Sequence, residues 1–317
     1  MRHGQRDRHP YYAFFYPPTF LLLCLPLGLL PYPLALIAWL GGTFAAWFRT
    51  IRAVLPQRWA VLAMLAFPAV WGNASHGQNA FLTAALFGGA ALALSRHPWR
   101  AGFCIGLLAI KPHLAVAIPL ALAVARRWGA FAASAVTLLA FVALTTLVLG
   151  TESWRAFHAL SDLARRTLEE SLVEPEKMAS VFAATRVLGA GVTVGYAAQA
   201  VVALVVLARL LPMLRRRPGG LAEMTAVTAA TPLINPFLLD FDLMLLGLPM
   251  AWIMAAAQRD GFLPWEKTGL LAAFLTPFLA RPVAFDLGVP LAPLGCAVLL
   301  ALVLRRLARE EAEPVPR

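Results

Sequence analysis

The chain has 317 residues, of which 60% are hydrophobic and only 14% charged, with a formal net charge of +11. A soluble domain carries roughly 25% charged residues, so these charges cannot build a water-facing surface, and most of the surface must face lipid. The positive balance does not point to a nucleic-acid partner, because the basic residues form short clusters between apolar runs rather than one patch.

In chain order, a charged segment at residues 1–12 is followed by an apolar stretch, residues 13–31, broken by Pro17, Pro18, Pro26 and Pro31. A helix starting after Pro18 is only about 18 Å long before Pro31 at 1.5 Å per residue. That is too short to cross a bilayer and predicts an interfacial or re-entrant helix. Spans are predicted over 33–54, 59–73, 79–95, 128–150, 190–211, 221–236, 239–257, 266–281 and 288–306. Helices are expected throughout, because open strands leave their backbone unsatisfied in lipid. Residues 100–125 are flanked by Arg100 and by Arg126 with Arg127, and Lys111-Pro112 breaks their middle. Two half-helices meeting at Lys111 keep both arginine-flanked ends on one side. Cys24, Cys104 and Cys296 each lie inside an apolar run and read as small packing residues.

The expected architecture is all-α: a polytopic integral membrane protein of about 9–11 spans with a broken half-helix pair, forming one membrane domain over 1–317. The arginine clusters at 49–58, 96–100, 126–127, 209–217, 259–267 and 305–317 all fall on one side, which the positive-inside rule makes cytoplasmic. The tail, 307–317, is then cytoplasmic and the loop 151–189 extracytoplasmic. This topology leaves residues 1–12 outside, with Arg2, Arg6 and Arg8 and no span before them to carry them across.

The outer side collects the polar groups: Tyr16 in Tyr16-Pro17-Pro18, the loop holding His76, Gln78 and Asn79, the tip Lys111-Pro112-His113, and the turn Asn235–Asp242. Ionisable groups at membrane depth are costly and are functional candidates. Lys111 reads either as a lysine snorkelling to the interface or as a cation on a lipid-carrier phosphate, for which a rotatable ammonium is suited. His113 reads as a half-helix cap or a site residue. His76 and Gln78 cap and solvate a loop, or meet sugar hydroxyls and phosphate. A carboxylate in a first helical turn is favoured by the dipole, which accounts for one of Asp240 and Asp242. Two at (i, i+2) point to different faces, leaving a binding role open for the other. Two carboxylates alone are a weak metal signal, so no metal site is expected. The loop 151–189 reads as a solvated amphipathic helix or a lid over the site.

Tyr-Pro-Pro before a broken apolar run, Gly77-Gln78-Asn79 opening a span, and Gly102-x3-Gly106 leading to Lys111-Pro112 come in that order. Arg126-Arg127-Trp128 and a Pro-containing turn ahead of Asp242-Leu243 follow. Over residues 11 to 255 this resembles glycosyltransferase family 87, bacterial membrane proteins of the GT-C fold. The resemblance implies a multi-pass protein of the bacterial inner (plasma) membrane, and the charge sorting places its C-terminus in the cytoplasm. It implies inverting transfer of a hexose, often mannose, from a polyprenyl-phosphate donor to a hydroxyl of a glycan or glycolipid acceptor on the extracytoplasmic face. No cofactor is expected, since the lipid-linked sugar is a substrate. An acidic residue in the first outer loop, just after the first span, is the expected general base. In the family that span and most of that loop would precede Tyr11, so the sequence predicts a truncated or degenerate relative, and no residue is assigned as base. Rival readings are a transporter or lipid flippase, whose sites also use broken helices, and a catalytically inactive subunit. The sites expected to bind substrate are Lys111, His76, Gln78, Asn79, His113, Asp240, Asp242 and Tyr16.

Overall fold

A computed structural model of the chain describes residues 14–216 and 219–312. The charged segment 1–12, Arg217 and the last residues of the tail lie outside the described residues. Among the described residues the protein is a bundle of fifteen α-helices joined by 3₁₀ turns. They are α1 (Pro18–Cys24), α2 (Tyr32–Val54), α3 (Trp59–Ala66), α4 (Pro68–Ser75), α5 (Ala80–Ala93), α6 (Pro98–Leu107), α7 (Ile118–Val124) and α8 (Trp128–Ala159). The remainder are α9 (Ser161–Glu169), α10 (Val181–Val187), α11 (Val192–Arg215), α12 (Gly220–Ile234), α13 (Gly247–Asp260), α14 (Glu266–Leu287) and α15 (Leu291–Ala312). Among the described residues six stretches are long and apolar enough to cross a membrane: α2, α8 with α9, α11, the 3₁₀ turn leading into α13 together with α13, α14, and α15. The chain is a polytopic all-α membrane protein. Large apolar side chains such as Leu147, 84% exposed, and Phe285, 73% exposed, point out of the bundle as a lipid-facing surface requires.

Several boundaries differ from the sequence reading, each for a local reason. The predicted span 59–73 is two helices, because Phe67 is extended (ψ 117°) and Pro68 starts α4; a residue before proline is driven out of the helical region. The predicted span 239–257 opens with a 3₁₀ turn over Asp240–Leu246 before α13 begins. Gly150 kinks α8 where its predicted span ends, with φ +74°, a conformation glycine adopts cheaply. The chain beyond it stays helical through Ala159 and again over Ser161–Glu169, the amphipathic helix read for the start of 151–189. α15 continues past residue 306 to Ala312. Of the stretch 13–31, residues 14–31 are described and hold α1 and a 3₁₀ turn at Leu25–Leu29, a short element of the kind expected there.

Helix directions follow from the close contacts. Gly77 lies against Leu36 and Gly88 against Thr50, so α5 runs parallel to α2. Gly102 touches Ala130 and Ala133 while Gly106 touches Ser134 and Thr137, so α6 runs parallel to α8. A Cβ at Gly102 would come within 2.3 Å of Ala133 and 2.7 Å of the Ala130 carbonyl. The Gly-x3-Gly spacing therefore serves close helix packing. At the start of these two helices, Pro98 sits 3.4 Å from the Cβ position of Gly129. The chain thus enters through α6 and returns through α7 to one end of the bundle, with Lys111 at the far tip.

The two ends are chemically different. One end is tied by Arg127 Nη2 on Glu223 Oε1 at 2.6 Å, by the Gly220 amide donating to Ser95 Oγ at 2.7 Å, and by Arg306 bonded to both Glu266 oxygens. Arg58, Arg96 and Arg215 belong to this end by their place in the chain. The opposite end gathers Asn79, Lys111, Asp242 and the segment 151–191. There Ala179 donates to the Leu238 carbonyl at 2.7 Å, and Met178 forms an antiparallel bridge with Leu239, stapling the long connection onto the turn that holds Asp240 and Asp242. The three cysteines are free thiols.

Candidate functional site

Lys111 closes the 3₁₀ turn Leu108–Ile110 and precedes Pro112, with extended φ −148° and ψ 66°. Proline supplies no amide hydrogen and disfavours helix at the residue before it, so the half-helix stops there and its side chain is presented inward. Lys111 is only 3% exposed. Its Nζ donates to Asp242 Oδ1 at 2.5 Å and to Asn79 Oδ1 at 3.5 Å, and lies 4.9 Å over the Phe241 ring. Asp242 is equally enclosed, and its Oδ2 accepts the Leu239 amide at 3.3 Å. Burying two ions is unfavourable unless they meet each other and their other lone pairs and protons are taken up; here both conditions hold.

This pair backs a cavity of about 760 Å³ at the bundle end opposite the arginine clusters. Of the eight residues singled out from sequence, Tyr16, His76, Gln78, Lys111, His113 and Asp240 line it. Asn79 and Asp242 stand one layer behind, on Lys111. The Tyr16 hydroxyl donates to Gln78 Oε1 at 2.8 Å, fixing the amide across the mouth of α1. His76 Nδ1 sits 2.8 Å from the Gly72 carbonyl, leaving the other ring nitrogen for the cavity side. His113 stands edge-on to Phe237, ring centroids 6.1 Å apart, and its Nε2 is buried with no hydrogen-bond partner among the described residues. A buried imidazole nitrogen without a partner carries a desolvation cost that a ligand hydroxyl would relieve.

Other lining residues lie outside the set read from sequence. Arg281 of α14 places Nη1 3.5 Å from Asp240 Oδ2, and its side chain is 43% exposed. Glu174 and Lys177 reach the cavity from the long connection and pair with each other; the Lys177 ammonium holds the Glu174 carboxyl below the usual carboxylate range. Leu163 and Thr167 of α9, with Leu172 and Val173 after it, make an apolar wall. The signal for Arg281 was available: an arginine within the Pro277–Pro282 stretch of an apolar span is a costly placement. It was hidden by falling on the last residue of a predicted span. Among the described residues no group of three or more His, Cys, Asp or Glu is placed to hold a metal ion.

Two other hollows differ in kind. A crevice of about 240 Å³ between α2, α3, α13 and α14 is lined by apolar side chains such as Ile51, Met64 and Phe274. A shallower one of about 350 Å³ lies at the arginine-rich end, by Ser95, Arg96, Gly220 and Arg259. The cavity around Lys111 combines carboxylates, cations, imidazoles and an amide in one space, the mix of groups that holds a polyhydroxylated, charged ligand.

No curated protein and no solved structure matches the chain. A family model does: that described as glycosyltransferase family 87 matches residues 14–239. The matched stretch contains the half-helix pair, the Gln78-Asn79 loop, the whole connection over the cavity and all of its predicted residues except Asp240 and Asp242. With more than half its length accounted for in this way, the chain belongs to glycosyltransferase family 87 and is a membrane-embedded sugar-transferring enzyme.

Proposed function

We propose that the cavity around Lys111 holds a polyprenyl-phosphate sugar, and that the enzyme moves its hexose, with mannose the first candidate, onto a hydroxyl of a glycan or glycolipid acceptor. The observation that supports this most is the convergence of Tyr16, His76, Gln78, His113, Asp240 and Arg281 on one cavity of about 760 Å³. That volume suits a hexose phosphate together with part of an acceptor, within the range of small-molecule sites at roughly 300–1,000 Å³.

The chemistry needs three things of the protein. The acceptor oxygen attacks the anomeric carbon as the bond from that carbon to the phosphate oxygen breaks, and the bonding electrons leave with the phosphate. Fixed cations must meet that developing charge. A base must take the acceptor proton; the carboxylates that line the cavity among the described residues are Asp240 and Glu174. Hydrogen-bonding groups must hold the sugar, and the Tyr16–Gln78 pair and the open nitrogen of His113 are placed to do so.

The face of the membrane follows from charge. The opposite end carries Arg127, Arg306 and the other arginine clusters, and the positive-inside rule assigns such an end to the cytoplasm. The cavity then opens to the extracytoplasmic face of the plasma membrane and the C-terminus lies in the cytoplasm.

The test is transfer in proteoliposomes. With radiolabelled polyprenyl-phosphate mannose as donor and a short alkyl mannoside as acceptor, label is expected to move to the mannoside. Label that stays on the lipid for mannose, glucose and galactose donors alike would overturn the lipid-linked donor. Transfer from a nucleotide sugar alone would do the same.

A further inference from the structure

Three cations reach the cavity among the described residues: Lys111, Lys177 and Arg281. They are not equally available to an anion. Lys111 is 3% exposed, its charge cancelled by Asp242 at 2.5 Å and its remaining reach spent on Asn79 and the Phe241 face. Lys177 is held by Glu174 three residues away on the same turn. Arg281 has one salt-bridge partner among the described residues, Asp240, and meets it only at 3.5 Å, while the Glu174 carboxylate, held by Lys177, feels its charge from farther off. Asp240 itself already spends Oδ1 on the Phe241 amide at 2.8 Å. The guanidinium thus brings a planar fork of five N–H donors to the cavity with few of them engaged, the geometry that matches phosphate oxygens two at a time.

We propose that Arg281 is the residue that takes the phosphate of the lipid-linked donor, and that Lys111 is a positioning residue. This rests on the donor reading above and deepens it. It also departs from the expectation that Lys111 would hold the phosphate. Lys111 fixes Asp242, Asp242 fixes the turn Leu239–Asp242 through the Leu239 amide, and Asp240 on that turn orients Arg281. The chain of contacts therefore places a loosely held guanidinium on a rigid support. Arg281 lies beyond the matched residues 14–239, so nothing in the family match assigns it.

The geometry also says what happens on binding. The donor's phosphate, a diester with one negative charge, offers the guanidinium two oxygens in place of a single carboxylate oxygen 3.5 Å away, and it gains a second charge as the sugar leaves. Arg281 then turns from Asp240 to the phosphate, and the Oδ2 of Asp240 is left facing the cavity.

The experiment measures affinity rather than turnover. Protein in phosphatidylcholine nanodiscs is titrated calorimetrically with a ten-carbon isoprenyl monophosphate, with the matching neutral isoprenol, and with inorganic phosphate. The phosphate ester is expected to bind, and the isoprenol and inorganic phosphate to bind much more weakly. Arg281→Gln should weaken the ester by about tenfold or more, as loss of a charged hydrogen bond does. Arg281→Lys should recover part of it, since a point charge remains without the fork. The double variant Lys111→Met with Asp242→Leu, which removes both charges together but also the Leu239 contact, should weaken the ester less than Arg281→Gln does, because Arg281 itself remains. Unchanged affinity in Arg281→Gln would overturn the assignment, as would a double variant that loses binding while Arg281→Gln keeps it. A parent protein that binds no phosphate ester would overturn the donor reading itself. Inorganic phosphate binding as tightly as the ester would leave the lipid no role and overturn the donor's identity.

Discussion

Lys111→Met is expected to destabilise the protein by about 3–5 kcal/mol, the cost of leaving one partner of a buried ion pair alone. The carboxylate of Asp242 would remain 1% exposed with only the Leu239 amide to meet it. The turn Leu239–Asp242 would loosen, and with it Asp240 and the staple between Met178 and Leu239. In detergent, the single variant should show a thermal midpoint several degrees below the parent. The double variant with Asp242→Leu should regain most of that loss, because the apolar pair leaves no uncompensated charge. A single variant as stable as the parent would mean that Lys111 is not closed in on Asp242, and the snorkelling lysine would be the better description.

Arg306→Met should have an effect of the same size for the same reason at the other end of the bundle. Glu266 is 0% exposed and Arg306 2%. The guanidinium grips both carboxylate oxygens, at 2.8 and 2.7 Å, and also the Gly261 carbonyl at 2.7 Å. Removing it strands a carboxylate between α14 and α15, at a cost of about 3–5 kcal/mol. The difference lies in function. Arg306 is at the arginine-rich end, remote from the cavity, so folded Arg306→Met protein should bind the isoprenyl phosphate as the parent does. Lys111→Met should lose affinity along with stability, because the turn that carries Asp240 moves. Equal loss of affinity in both would show that affinity follows global stability and not the cavity floor.

The contrast shows what the sequence could and could not convey. Arginine clusters alternating with apolar runs sort the helices between two ends, since charge and hydropathy are properties of single residues. Lys111-Pro112 inside an apolar run marked the tip of the half-helix pair, because proline forces a break wherever it falls. That Lys111 and Asp242 share one place was expected from the cost of isolated polar groups in lipid. That they touch, across 131 residues of chain, and that Asp242 stands behind Lys111 and not on the cavity surface, is a matter of packing. The connection 151–189 displayed its (i, i+4) pairs, Arg165 with Glu169 and Arg166 with Glu170, and so read chiefly as solvated helix. Its other face supplies Leu163 and Thr167 to the cavity, which charge patterning does not reveal. Arg281 shows in the sequence only as a charge at the end of a predicted span; its pairing with Asp240, forty-one positions away, is made by the fold.

On the proposal above, the donor's phosphate sits in the cavity between Gln78, His113 and Arg281, not at the arginine-rich end. Photo-labelling tests it most directly. An isoprenyl monophosphate carrying a diazirine on the carbon next to the phosphate ester is irradiated with the reconstituted protein, and the modified peptides are read by mass spectrometry. The label is expected on peptides containing residues 76–78, 111–113, 237–241 and 281, and excess unmodified ester should displace it. Label concentrated instead on residues 91–96, 219–222 or 259, which line the crevice at the opposite end, would place the phosphate there and rule out the Arg281 cavity.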